Sequence, residues 1–467
     1  MKMKKICAVT AAVLTVCSAA SCGGKKDKKD DFEATNNIEV MSTDKVDAIP
    51  EGVDGTIIYL GVSDLNPTKG NPEKSTELTL FEEKGGKIEY QSTTYFERFE
   101  KLATALMAEK DVPDITNYEW LSFPAHSVDN RFQPIDPIVN FDDPLWADVK
   151  DDAEQYALFG KHYVAPLRYE ASAMMCYDGK LIDDNGLNDP YELYLAGEWN
   201  WDNWYSIMSD YCKGATGDEE RYGINGFFKQ HITQQTGKTL VTFDPETTTF
   251  ASNLDDGDIE AAQTLLYNMD KEGLILNGWI GSARDAFNQG CLFYAMGDWG
   301  YSGNNSPKED EVWRVVPMPA YTKNPQKITT SDMKAFMWVR GSTKNEALKC
   351  WFECCRVTYN DPDYKETNKQ KFMENNPYWT DEMYDVKMDV VSEDYYMLYD
   401  YSYGVSSALG DPNSFDGNNS LTDTLYISSS QDDAEGVQKT WTQVREEYSP
   451  TVDYEVNELN KKIDSMR

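Results

Sequence analysis

Positive charge is scarce in this chain: 44 lysines and arginines stand against 80 aspartates and glutamates, a formal net charge of −36. A surface this acidic repels nucleic-acid phosphates and anionic headgroups, so nucleic acid is excluded as a partner and a phosphorylated ligand is disfavoured. Histidine is rarer still, and the three present, His126, His162 and His231, show no metal-ligand spacing. Beyond the N-terminus no apolar run has the length of a membrane-spanning helix. Catalytic motifs are equally sparse. Gly237-Lys238-Thr239 ends like a phosphate loop, but Ile232 stands where that loop needs its first glycine. There is no Gly-x-Ser-x-Gly elbow and no His-Glu-x-x-His pair. The expectation is a chain without catalytic residues, cofactor or metal, although so many carboxylates leave room for a glycosidase pair.

What is present begins with the compartment. Lys2, Lys4 and Lys5 precede the apolar stretch Ile6 to Val16, and Ser18-Ala19-Ala20-Ser21 then lead to Cys22. This is the layout of a signal peptide, too short to span a bilayer as a stable helix. Ala19-Ala20-Ser21-Cys22 followed by two glycines resembles a bacterial lipobox, with Ala19 in the usual leucine position. The resemblance implies cleavage after residue 21, a lipidated Cys22, and anchoring at the extracytoplasmic face of a bacterial cell membrane. Residues 22–52 are polar and charged, a tether whose roughly 30 residues average ~30 Å in span. Of nine cysteines, six remain beyond Cys22 (Cys176, Cys212, Cys291, Cys350, Cys354 and Cys355), and these read as buried free thiols.

The folded part alternates strand and helix. Gly55 to Val62 is a short apolar run that reads as a buried strand. A helix is predicted from about Thr94, with Thr94 and Glu97 as a capping box and Phe96, Phe99, Leu102, Ala103 and Leu106 as its apolar face. Asp111 to Thr116 is the next strand with its entry turn. Asp258 is predicted to cap a helix that Gly273 ends, followed by a helix over Arg284 to Gln289 and a strand over Cys291 to Met296. Ala335 to Val339 reads as a strand and Lys344 to Cys355 as an amphipathic helix. Strand, helix, strand is the unit of an α/β fold with a parallel sheet.

Several segments, in order, resemble the family 1 extracellular solute-binding proteins of ABC importers, the maltose-binding-protein group. They are Pro113-Asp114-Ile115, Pro134-Ile135-Asp136, His162 to Pro166, Tyr177 to Leu181, Trp199 to Trp204, Ala286 to Trp299, Pro317-Met318-Pro319 and Ser342 to Ala347. The resemblance covers about residues 55 to 440. It implies a two-lobe periplasmic-binding-protein type II fold, with hinge segments and a ligand cleft between the lobes. Lobe 1 would take residues 53–166 and 317–375. Lobe 2 would take 167–316 and 376–467, the last piece with C-terminal helices. The implied function is delivery of a small neutral ligand, a sugar or oligosaccharide, to ABC permease subunits by cleft closure. A surface glycan-binding adhesin and a lipid-anchored glycoside hydrolase are the alternatives.

Ligand contacts are expected where strands end at the cleft. Asp64 follows the first strand, and Tyr118, Glu119 and Trp120 follow the Pro-Asp-Ile strand. Asp298 and Trp299 end the block whose family counterpart stacks a sugar ring, and an indole covers the C–H face of a pyranose well. Arg168, Trp279 and Asp332 fall beside crossing or cleft segments. Trp201 and Trp204 read instead as packing for a helix start.

Overall fold

The computed structural model describes residues 40–412, 419–432 and 436–467, without the side chains of Ser331 and Asp332. Residues 1–39, with the expected signal peptide, Cys22 and most of the expected tether, lie outside the described residues.

Two sheets form the frame. In the first, Thr56–Gly61 pairs in parallel with Lys87–Ser92 on one side and with Ile115–Asn117 on the other. Its apolar residues Ile57, Tyr59 and Leu60 are buried, as an interior strand requires. Helix Thr76–Glu83 connects the first two strands, and the Ser75 hydroxyl caps it by accepting from the Leu78 amide. The second sheet runs in the order Trp313–Val316, Met174–Asp178, Cys291–Met296, Tyr222–Gly226, with only the last two parallel. All six residues of Cys291–Met296 are buried. Leu292, Phe293 and Ala295 enter one core and Cys291, Tyr294 and Met296 the other, so helices and loops cover both faces.

Two strands carry the chain between the sheets. Ala165–Ala171 lies antiparallel to Ile328–Trp338 within the first sheet, and the chain passes into the second at Ser172 and Ala173. It returns through Pro317 to Lys327. Ser172 ties the two crossings together, its hydroxyl donating to the Thr330 carbonyl at 2.9 Å. A third crossing follows Tyr395, where Tyr396–Leu398 pairs in parallel with residues 328–330. Behind them lies a buried polar cluster. His231 Nδ1 is 3.2 Å from Thr330 Oγ1, Thr330 donates to Gln234, and Gln234 and Tyr426 both donate to Asp400. Burial pushes the His231 imidazole down to about 4, so it is neutral at ordinary pH.

The expected lobe boundaries shift in several places: Leu240, Val241, Phe250, Leu254 and Ile259 pack into the first-lobe core and Met318 and Tyr321 into a second-lobe core, and two further stretches move as well. Ala165–Ala171 stays in the first sheet, so residues 167–171 belong to lobe 1, because the backbone of this strand is paired with Ile328–Trp338 up to Ala171. Residues 376–467 do not all belong to lobe 2. Trp379 to Tyr395 enter a second-lobe core, but Tyr401, Tyr403, Tyr426 and Trp441 to Ile463 pack into the first. The cause is aromatic packing: Tyr401 lies 6.4 Å from Phe123, 6.1 Å from Tyr156 and 5.4 Å from Phe243, centroid to centroid. Gly404 admits this contact, since a Cβ there would stand 1.7 Å from the Phe123 carbonyl oxygen.

Local boundaries also moved. The helix expected from Thr94 starts at Arg98; Thr94 Oγ1 accepts from the Glu97 amide across a turn that leaves Phe96 outside the apolar face. Asp256, not Asp258, caps helix Gly257–Lys271. Trp201 and Trp204 are buried at the start of helix Trp201–Lys213. All six described cysteines are free thiols, and four are buried. Among the described residues no helix is long and apolar enough to cross a membrane.

Candidate ligand cleft

The floor of the cleft is one face of the crossing strands. Arg168 and Glu170 are two apart on Ala165–Ala171 and so share a face, with Lys334 opposite Arg168 in register. Arg168 Nη2 lies 3.3 Å from Glu170 Oε1 and its Nη1 3.6 Å from Glu77 Oε1, in the first turn of helix Thr76–Glu83. Lys334 Nζ is 3.2 Å from the other Glu170 oxygen. Burial alone would raise the Glu170 carboxyl, but Arg168, Lys334 and Lys387 outweigh it and hold the group at about 2. Across the gap Lys387 is ion-paired with Asp298 of lobe 2.

Two cavities meet over this floor, sharing Glu77 and Arg168. The smaller, about 300 Å³, is lined by Ser63, Leu65, Tyr118 and Glu119 at the carboxyl ends of the first and third strands of lobe 1. The larger, about 860 Å³, joins Glu73, Thr76, Arg168 and Glu170 of lobe 1 to Asp298 and Lys387 of lobe 2. That volume lies in the range of small-molecule sites.

Lobe 2 presents rings at the carboxyl ends of its two parallel strands. Phe227 follows Tyr222–Gly226, and Trp299 follows Cys291–Met296. Trp279 sits on the loop that the Asn225 amide fastens through the Leu276 and Gly278 carbonyls, at 2.7 and 3.0 Å. Gly226 makes the turn to Phe227 at φ +103°, where a Cβ would lie 2.0 Å from the Ala295 oxygen. The Phe227 and Trp279 centroids are 5.3 Å apart, and Trp279 and Trp299 stack at 6.1 Å and 27°. Trp279 is 65% exposed and Trp299 47%, so this platform is open to a ligand. It starts beside the hinge: a Cβ on Gly297 would lie 2.9 Å from Trp299 Nε1 and 3.6 Å from the Ser172 carbonyl oxygen.

Of the residues expected at the site, Tyr118, Glu119, Arg168 and Asp298 line the two cavities, and Trp279 and Trp299 form the platform. Two are brought neither to the cavities nor to the platform. Asp64 accepts from the Asn66 amide and side chain at 2.9 and 2.8 Å, closing its own turn. Trp120 packs against Tyr403, centroids 5.3 Å apart. The Asp332 side chain lies outside the described residues. Sequence reasoning missed Glu77, Glu170, Lys334, Lys387 and Phe227. A glycine directly after the strand run Tyr222 to Asn225 was the available sign of Phe227, and Arg168-x-Glu170 alternation was that of the floor. Among the described residues no group of three or more His, Cys, Asp or Glu could hold a metal ion.

No family model and no curated protein matches the chain. Solved structures do. An ABC substrate-binding protein from Listeria monocytogenes, in complex with cycloalternan, aligns with a TM-score of 0.58 at 14% identity, over 88% of this chain and 99% of that one. This is the two-lobe periplasmic-binding-protein fold. The GacH receptor of Streptomyces glaucescens, solved unliganded and with acarbose, aligns at 0.58 and 13% identity over 86% and 99% of the two chains. The galacto-N-biose/lacto-N-biose I-binding protein of an ABC transporter from Bifidobacterium longum aligns at 0.58 and 11%, over 89% and 99%. In open α/β sheets ligands sit beyond the carboxyl ends of strands, and here those ends carry both cavities and the aromatic platform.

Proposed function

We propose that this chain is the extracytoplasmic solute-binding protein of an ABC importer, capturing a sugar or oligosaccharide by closing its lobes and presenting it to the permease. One observation carries the sugar reading: two tryptophans lie stacked and exposed at the carboxyl edge of lobe 2, beside a floor of paired charges. Indole faces cover pyranose C–H surfaces, while carboxylates and guanidinium groups satisfy hydroxyls. Arg168, Glu170 and Lys334 neutralise one another in part, which suits a neutral polyhydroxylated guest better than an ion. The fold neighbours, named as binding proteins for cycloalternan, acarbose and lacto-N-biose, support the class. Cys22 is the proposed lipid anchor; incorporation of labelled palmitate that survives Cys22→Ala ends that part of the reading.

The direct test is thermal denaturation across a panel of mono- and oligosaccharides. A ligand at a hundred times its dissociation constant stabilises the folded state by about 2.7 kcal/mol. For a chain of this length that is a rise of about 3 °C. A panel of sugars that leaves the transition unmoved, alongside a peptide mixture that raises it, replaces the sugar with a peptide.

A further inference from the structure

The two cavities over the floor offer a ligand different chemistry. The larger is walled by charged groups, among them Glu73, Glu170, Asp298, Lys371 and Lys387. The smaller, about 300 Å³, is lined by Leu65, Leu167, Met333, Phe336 and Trp351 and by the Cys355 thiol. Met333, Phe336 and Trp351 are core residues, so the apolar interior of lobe 1 comes to the cavity wall here. Burial raises the Cys355 thiol well above its ordinary pKa, and it stays protonated and uncharged. The charged residues of this cavity, Glu77, Glu119, Arg168 and Lys334, are all partly exposed and form its mouth. A guest that covers an apolar wall of this kind releases water from it and gains free energy.

The two residues shared with the larger cavity stand where a ligand can reach them. Arg168 Nη1 and Glu77 Oε1 are 3.6 Å apart, beyond hydrogen-bond length, and their side chains are 40% and 20% exposed. Arg168 can donate to a ligand there and Glu77 can accept. A plain sugar is hydroxylated all round and has nothing to lay on the apolar wall. An acetamido sugar does: its methyl tip is apolar, its N–H donates and its carbonyl accepts. An acetyl ester lacks the N–H for Glu77, and an acidic substituent would bring a carboxylate against Glu77 and Glu119.

We propose that the smaller cavity is an acetamido subsite and that the ligand contains an N-acetylhexosamine. The ring lies over Glu77 and Arg168, with its acetamido arm directed into the smaller cavity. The arm's N–H donates to Glu77, its carbonyl accepts from Arg168, and its methyl meets the wall of Leu65, Phe336 and Trp351. The tryptophan platform serves any pyranose, and this cavity selects among them. The subsite rests on the sugar-binding reading of the cleft and adds the substituent that the sugar carries.

The test titrates the full mature chain with pairs of glycans that share a ring skeleton: glucose and N-acetylglucosamine, galactose and N-acetylgalactosamine, cellobiose and chitobiose, lactose and N-acetyllactosamine. In at least one pair the acetamido member is expected to bind about tenfold tighter, or more, than its hydroxyl twin. Two variants then address the cavity itself. Leu65→Asn makes its wall polar, and Ser63→Phe, at an exposed position on its lining, narrows it without touching the core. Either should cut the preference to about threefold or less, while the hydroxyl twin binds as before and so reports an intact fold. Twins that bind equally, a preference that survives both variants, or variants that weaken both members alike overturn the subsite while the sugar reading stands. So does a wider glycan panel whose ligands include no acetamido sugar. A chain indifferent to every sugar overturns the sugar reading and the subsite with it.

Discussion

On lobe 1 the polar groups facing the cleft are already engaged with one another, whereas lobe 2 adds bare rings beside its Asp298–Lys387 pair. Arg168 holds Glu77 and Glu170, Lys334 holds the second Glu170 oxygen, and Glu119 is held by Arg98. Trp279 and Trp299 touch each other but remain largely uncovered. One wall and the floor are therefore preorganised, so their groups need little reordering when a ligand arrives. The other wall keeps apolar area in water that a ligand would cover, and there the free energy of capture can be gained. The difference teaches that stability and affinity reside on opposite sides of one gap, and substitutions should separate them.

The largest expected effect is on stability. Glu170→Gln removes the carboxylate that Arg168 and Lys334 share, leaving both cations short of a partner; a loss of about 2–3 kcal/mol in a urea melt is expected for this partly buried site. The same group sets a pH window. Its carboxyl is held down to about 2 in the folded chain, so its contribution is complete above the unfolded value of ~4.3 and fades as pH falls toward 2. Glu170→Gln should flatten the acid limb of stability in that window, and an unchanged limb would show that the floor charges do not act as a unit. Trp299→Ala is the mirror image. It should cost about 2 kcal/mol in affinity, ~30-fold in Kd by calorimetry, and leave the melt within ~0.5 kcal/mol of the parent. Trp279→Ala, farther along the platform from Gly297 and Ser172, should cost about 1 kcal/mol, ~5-fold. If the tryptophan variants instead melt early and bind normally, the two walls do not differ in the way described.

Much of this contrast could be read from the chain, and what escaped did so for physical reasons. Cys291 to Met296 is apolar throughout, so its place as a buried strand followed from composition alone, and Trp299 just beyond it fell at a strand end. Tyr118 and Glu119 were found the same way. The floor was harder. Glu170 and Lys334 look like ordinary solvated charges until strand pairing sets Lys334 against Arg168, and register between residues 166 apart has no local signature. Phe96 misled because its spacing fits a helix face, while the turn over Tyr95 to Glu97 carries it outward. The stretch after Tyr395 was assigned to the wrong core because aromatic runs such as Tyr399 to Tyr403 announce burial but not the partner.

The smallest effect sharpens the comparison most. Asp64 follows the first strand, between Ser63 and Leu65, which both line the smaller cavity, so position alone marks it as a ligand acceptor. Its carboxylate is spent locally: Oδ1 takes both the Asn66 amide and its side-chain nitrogen. An oxygen accepting two short bonds from its own turn has little capacity left for a sugar hydroxyl. Asp64→Asn keeps an oxygen able to close that turn. It should change Kd by less than threefold, under about 0.7 kcal/mol, and leave the melt nearly unmoved. A tenfold loss with an intact melt would mean that the second Asp64 oxygen reaches the ligand. Lobe 1 would then share in affinity, and the division between a preformed wall and a wall of open rings would have to be redrawn along the first strand.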